Sequence, residues 1–265
     1  MTFIRHFLLS VQFFTRIPIT GPLAQWVGYS PEMLRRSAAH FAGVGWIVGL
    51  VAAGVFAAVL SPTHSTYSPL VAACLSTIAT VMLTGGFHED GLADVADGLG
   101  GSYERARALE IMKDSRVGAF GAMALVLALA TKISLLAALG SSASLLVCCT
   151  LVLCAHVVSR ACPMVLVWAM AHVGDAAGSK SKPLADKISL QALISNFLWC
   201  FMLVVPVFIA QAAMIFIVSV LAALAALAYM RRMFARRLQG FTGDCLGATQ
   251  QVCEIAFYLA ALCML

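Results

Sequence analysis

The sequence predicts an all-α polytopic membrane protein with about six to seven transmembrane helices, additional interfacial helices and a cytoplasmic N-terminus. Three observations predict it. Of 265 residues, 62% are hydrophobic and 11% charged, against about 45–50% and about 25% in an average soluble domain. The 17 Lys and Arg with 12 Asp and Glu are too few to clothe a soluble domain of this length, and the composition is the reverse of a disordered chain. Apolar runs recur at close to the ~20 residues that cross a hydrocarbon core of about 30 Å. No repeat, low-complexity tract or long linker divides the chain, so 1–265 reads as one membrane domain.

In chain order, Arg5 precedes an apolar run, Phe7 to Phe14, which Ser10 and Gln12 interrupt and which no small-residue cleavage site follows. Residues 3–17 therefore read as an amphipathic segment in the interface rather than a signal peptide. Spans are expected at 41–60, 67–86, 118–139, 144–159 with an apolar extension to 173, 194–210 and 212–230. The stretch 246–265 is borderline, and whether it crosses is left open. The connectors 61–67, 140–143 and 206–211 carry no charged residue. All but one of the 17 basic residues fall in the remaining connectors, from Arg5 to Arg36, Arg105 to Arg116, Arg160 to Lys187 and Arg231 to Arg237. Six spans with an inside N-terminus put every basic connector on the cytoplasmic side, as the positive-inside rule requires. The exception, Lys132, lies late in the third span and is read as snorkelling to the outer interface in preference to a functional buried lysine. The 9 cysteines form no C-x-x-C pair and sit in apolar runs, so they read as small buried hydrophobes.

Chemistry is concentrated where the second span reaches the cytoplasm, in Gly85-Gly86-Phe87-His88-Glu89-Asp90-Gly91-Leu92-Ala93-Asp94-Val95-Ala96-Asp97-Gly98. At about 100° per residue, Asp90, Asp94 and Asp97 fall within roughly 60° on one helical face. Like charges this close raise one another's pKa unless a cation sits among them. An oxygen-rich, sulfur-free set suits Mg²⁺ or Mn²⁺, completed by water and substrate phosphate. Glu89 points about 100° away from Asp90 and is left out of the metal set. A solvated acidic face is the bland alternative.

Glycines 98, 100 and 101 are expected to break that helix, and Ser102 to cap a second one running to about Asp114, with Ala106, Leu109 and Met112 along the interface. It delivers Lys113-Asp114-Ser115-Arg116 before the third span. Lys113 and Arg116 suit a phosphate clamp and equally suit plain anchoring of the span. Arg160 ends the core of the fourth span. Thr242-Gly243-Asp244 opens the last apolar segment, where capping is the simpler role for Asp244. His88 is read as a proton carrier or an interfacial histidine.

These residues carry a resemblance. Phe14-Thr15-Arg16-Ile17-Pro18, the acidic stretch 85–98, Leu109-Glu110-Ile111-Met112-Lys113-Asp114-Ser115-Arg116 and Thr242-Gly243-Asp244-Cys245-Leu246-Gly247-Ala248 resemble, in the same order, the cobalamin synthase family of adenosylcobinamide-GDP ribazoletransferases. The resemblance implies a multi-pass enzyme of the bacterial inner membrane, dependent on Mg²⁺, with its active-site loops in the cytoplasm. In such enzymes a ribose hydroxyl of α-ribazole or its 5′-phosphate attacks the phosphate of adenosylcobinamide-GDP, and GMP leaves. By motif match it implies Asp90, Asp94 and Asp97 as metal ligands, and Asp97, His88, Lys113, Asp114 and Arg116 in catalysis, with Asp97 or His88 as base. Arg16, Arg160, Gly243 and Asp244 are expected on the substrate. The segment after Arg160, through His172 and lysines 180–187, matches loosely. The expected partners are these small molecules and the lipid bilayer, with no nucleic acid, and association into homo-oligomers is left open.

Two rivals differ in their patterns. A CDP-alcohol phosphotransferase also uses membrane aspartates and a divalent metal, but here Asp97 is followed by Gly-Leu-Gly-Gly and the Ala-Arg pair of that family is missing. A transporter would place its acids near mid-membrane and repeat broken helices in two halves, whereas this chain gathers acids in a loop.

Overall fold

The computed structural model describes residues 2–63, 65–174 and 188–265, so Lys180, Lys182 and Lys187 lie outside the described residues. Those residues form helices and no strand, apart from one isolated bridge pairing His172 with Phe241. In order, these are α1 (Thr2–Phe14), α2 (Gly21–Val27), α3 (Pro31–Ser37), a 3-10 turn (Ala38–His40), α4 (Phe41–Leu60), α5 (Ser68–Thr84) and α6 (Phe87–Gly101). Then come α7 (Arg105–Ile111), α8 (Ala119–Ser142), α9 (Leu145–Ala169), α10 (Leu190–Phe201), α11 (Val204–Ile209), α12 (Ala213–Arg237) and α13 (Gly243–Cys263).

Six stretches are long and apolar enough to cross a membrane: Pro31–Leu60, Ala119–Ser142, Leu145–Ala169, Leu190–Ile209, Ala213–Arg237 and Gly243–Cys263. The last is the stretch that sequence left open. A seventh comes from α5, joined to α6 through a bend of 89°. The protein is a multi-pass membrane protein. α1 is amphipathic, burying Leu9, Val11 and Phe14 while Phe3 and Ile4 stay exposed, as an interfacial helix does.

Small residues set the packing between spans. A Cβ on Gly45 of α4 would stand 2.6 Å from the His156 carbonyl oxygen of α9, and one on Gly49 would stand 2.9 Å from Leu153 Cδ1. Four residues apart, these glycines let two helix backbones meet, the usual route to tight packing in lipid. The 9 cysteines are all free thiols.

The ends carrying the basic connectors are tied together. Arg105 Nε donates to the Leu238 carbonyl at 2.6 Å. Arg237 Nη2 donates to the Leu99 and Ser102 carbonyls at 3.1 and 2.7 Å. Phe241 N donates to Ala171 O, and Val173 N to Phe241 O, at 3.0 and 2.9 Å. The end of α6 with the α6–α7 connector, the α12–α13 connector and the segment after α9 are thereby held together.

Lys132 does not snorkel. It is 2% exposed and its Nζ lies 2.7 Å from Glu254 Oε1. An ammonium in the hydrocarbon region is stabilised by a carboxylate partner wherever one is present, and α13 brings one to it.

Candidate active site

The site is built at a turn. Gly85 and Gly86 both take positive φ, 70° and 71°, a left-handed region that other residues enter only with strain. The chain leaves α5 and starts α6 nearly at right angles, with a bend of 89°. Arg16 N bonds the Leu83 carbonyl at 2.7 Å, and its side chain lies against the Gly85 turn.

α6 continues through Gly98, Gly100 and Gly101 instead of breaking at them. A Cβ on Gly98 would collide with Met112, and one on Gly100 would stand 2.7 Å from the Phe120 ring. Close packing against the α7 end and α8 replaces the missing side chains. α7 starts at Arg105 rather than Ser102. Ser102 Oγ accepts from Glu104 N at 3.1 Å, and the buried stripe is Ala108 with Met112 rather than Ala106.

α13 crosses α6 at van der Waals range. A Cβ on Gly91 would stand 2.7 Å from the Asp244 carbonyl oxygen, and one on Gly247 would stand 3.1 Å from His88 Cα. This seam brings Asp244 to Asp90 and Asp94. Asp90 is exposed and Asp94 half-buried. The Asp94 carboxyl is pushed up to about 7, first by burial and then by the neighbouring acids Asp244, Asp90 and Asp97. Asp244 does not cap its helix. Its Oδ2 accepts from Thr242 Oγ1 at 3.1 Å, and the helix carries no side-chain cap.

Asp97 shares the face, and each of its oxygens accepts one backbone hydrogen bond. Oδ2 accepts from Gly118 N at 2.7 Å and Oδ1 from Gly121 N at 2.8 Å, so it caps the start of α8 from outside. Asp97, expected as ligand and base, thus also holds α8 to α6. Among the described residues no three His, Cys, Asp or Glu are grouped closely enough to hold one ion between them.

Other expected residues stand apart from the acids. Arg116 is bound to Asp114, with Nη2 to Oδ2 at 2.6 Å and Nε to Oδ1 at 3.0 Å, in an exposed loop. That guanidinium holds the Asp114 carboxyl down at about 2. Lys113 is exposed in the same loop. His88 is 1% exposed, stacked on Phe41 at 5.7 Å, and its Nε2 has no hydrogen-bond partner among the described residues. Burial, reinforced by the charge of Arg160, holds its imidazole well below the usual range.

Arg160 is 2% exposed and donates through Nη1 to His156, at 3.1 Å to both Nδ1 and the carbonyl. It belongs to a buried polar network that sequence reasoning missed. Gln251 Nε2 donates to Glu89 Oε1 at 3.0 Å and to Gln250 Oε1 at 3.0 Å. Gln250 Nε2 donates to Glu254 Oε2 at 2.7 Å and Ser159 Oγ at 3.0 Å. Glu254 then pairs with Lys132, and His156 Nδ1 lies 3.6 Å from Glu254 Oε1. The signal was available: Gln250, Gln251 and Glu254 inside an apolar run, and His156 with Arg160 one turn apart in a span, are intramembrane polar residues that call for partners.

The chain is similar to known proteins over nearly its whole length. The family of cobalamin-5-phosphate synthases matches residues 6–262. The adenosylcobinamide-GDP ribazoletransferase of Polaromonas naphthalenivorans (strain CJ2) is 60% identical over 271 residues, covering 98% of each chain. That of Albidiferax ferrireducens is 59% identical, covering 97% of each, and that of Vibrio cholerae is 40% identical, covering 98% of this chain and 94% of the relative. No solved structure matches. By a match that runs almost from end to end, the chain belongs to the cobalamin-5-phosphate synthase family and is a transferase of cobalamin biosynthesis.

Proposed function

We propose that the protein joins adenosylcobinamide-GDP to α-ribazole or α-ribazole 5′-phosphate, giving adenosylcobalamin or its 5′-phosphate and releasing GMP. The observation that carries this reading is the convergence of Asp90 and Asp94 from α6 with Asp244 from α13, in a chain collinear with named ribazoletransferases. A ribose hydroxyl oxygen attacks the phosphorus next to cobinamide. The bond to the bridging oxygen breaks, GMP takes the electron pair, and the hydroxyl proton passes to a carboxylate of the cluster.

The donor set fits Mg²⁺: it is all oxygen, carries adjacent negative charge and leaves one carboxyl protonated up to about pH 7 when nothing offsets that charge. Asp90, Asp94 and Asp244 would hold the ion, one or two of them at a time, with diphosphate and water filling its shell. Bound there, it would neutralise charge developing on the diphosphate. Asp97 fixes the start of α8, and with it the loop bearing Lys113 and Arg116. The Arg116–Asp114 pair is exposed and so of little net stability, and the guanidinium can exchange Asp114 for a phosphate oxygen. Arg16 at the turn adds a further cation.

The basic connectors gather at the end bearing the acids, which by the positive-inside rule supports a cytoplasmic N-terminus and a site on the cytoplasmic face of the bacterial inner membrane. The test is product formation by purified protein in nanodiscs given both substrates, with Mg²⁺ and then with chelator. Corrinoid product and GMP should appear in equal amounts and only with Mg²⁺. A folded sample yielding neither would overturn the reading.

A further inference from the structure

The seam between α6 and α13 has three fixed points. Two are the glycine approaches, Gly91 against Asp244 and Gly247 against His88. The third is the hydrogen bond from Gln251 Nε2 to Glu89 Oε1. Gln251 lies seven residues beyond Asp244, about two turns, and so shares its face of α13. Glu89 precedes Asp90 by one residue on α6. Sliding α6 by a single residue, about 1.5 Å, or turning it about its axis would break this bond and carry Asp90 and Asp94 away from Asp244 in the same motion.

Gln251 cannot follow such a movement, because it is bonded to Gln250, which is bonded to Ser159 of α9 and to Glu254, which is paired with Lys132 of α8. A seam that served packing alone would be better filled by an apolar side chain, since Glu89 Oε2 is buried with no hydrogen-bond partner among the described residues.

From this we infer that Glu89 is a positioning residue: through Gln251 it sets the register of α6 on α13 and thereby the approach of Asp90 and Asp94 to Asp244. The consequence for cation binding rests on the function proposed above, whereas the lock itself does not.

The test compares Glu89→Leu, which removes the acceptor, with Glu89→Gln, which keeps an acceptor oxygen for Gln251, each in full-length protein in nanodiscs. Amide hydrogen exchange over residues 87–98 reads the lock, and Mn²⁺ affinity by electron paramagnetic resonance reads the site. In the leucine variant exchange should rise about tenfold and Mn²⁺ affinity fall by a similar factor, as for one lost hydrogen bond, while the glutamine variant stays within about twofold in both. If the leucine variant does not fold, Gln251→Leu removes the same bond from the other side. Exchange and affinity unchanged in a folded leucine variant would overturn the inference, and so would equal impairment in both Glu89 variants. Mn²⁺ binding absent even from the unaltered protein, with the exchange difference intact, would remove the cation site and leave the lock standing.

Discussion

Asp94 and Glu254 are carboxylates on two helices that pack against each other, and they live in opposite electrostatic circumstances. Glu254 is 1% exposed, yet it has Lys132 at 2.7 Å, Gln250 on its other oxygen and His156 nearby. Asp94 is half-buried, and the groups that act on it are three more acids. The deep carboxylate is complete without any ligand and the shallow one is not. Burial alone therefore does not separate the two, whereas compensation does: the uncompensated acids push Asp94 up to about 7, and under the proposed function a bound cation would offset their charge.

The contrast can be broken most sharply at Asp94. Asp94→Asn should lower turnover by about three orders of magnitude or more while leaving membrane insertion and hydrogen exchange intact. An Asn variant as active as the unaltered enzyme would erase the distinction. At the other carboxylate the expected loss is in stability. Glu254→Gln leaves the Lys132 ammonium buried without its counter-charge and should cost about 3–5 kcal/mol, most of it recovered by adding Lys132→Met. Unfolding in detergent measures both, and a single variant as stable as the double would show that the ion pair is not satisfied as drawn.

Asp97 sharpens the comparison, since it sits on the face of the acids but is bonded like Glu254. Asp97→Asn should lose about 1–3 kcal/mol through the start of α8 with Mn²⁺ affinity unchanged. A collapse of Mn²⁺ binding with normal stability would return Asp97 to the ligand set. The smallest effect is in pH. The folded Asp94 carboxyl keeps its proton to about 7, whereas the unfolded one releases it near about 4. The folded state thus binds more protons in that window, so metal-free stability should fall as pH rises from about 4 to about 7. Asp94→Asn should flatten this slope, which unfolding titrations across the window would detect.

The spans and the acidic motif were legible because they depend on local pattern: run length against bilayer thickness, charge placement among connectors, and three aspartates on one helical face. What escaped depends on which helix meets which. Asp97 has the same spacing as its neighbours, and only the arrival of Gly118 and Gly121 turns it into a cap. Lys132 reads as a snorkelling cation until α13 supplies Glu254. Glycines 98, 100 and 101 look like breakers, and tertiary packing against Met112 and Phe120 makes them part of a helix. Asp244, far from the motif in sequence, joins it through Gly91, whose missing side chain carries no such message until α13 is seen against it.

The right-angle turn at Gly85 and Gly86 also bears on traffic. For the substrates proposed above, a reactive helix standing upright among the spans would oblige a corrinoid nucleotide, far wider than the gap between packed helices, to thread into the bundle and back out on every cycle. On the proposed function, with α6 set at 89° to α5, the acids would open sideways rather than into the depth of the bundle. Bulky reactants and products can then come and go by lateral approach while the spans beneath keep their packing, so encounter and release need not wait for the bundle to breathe.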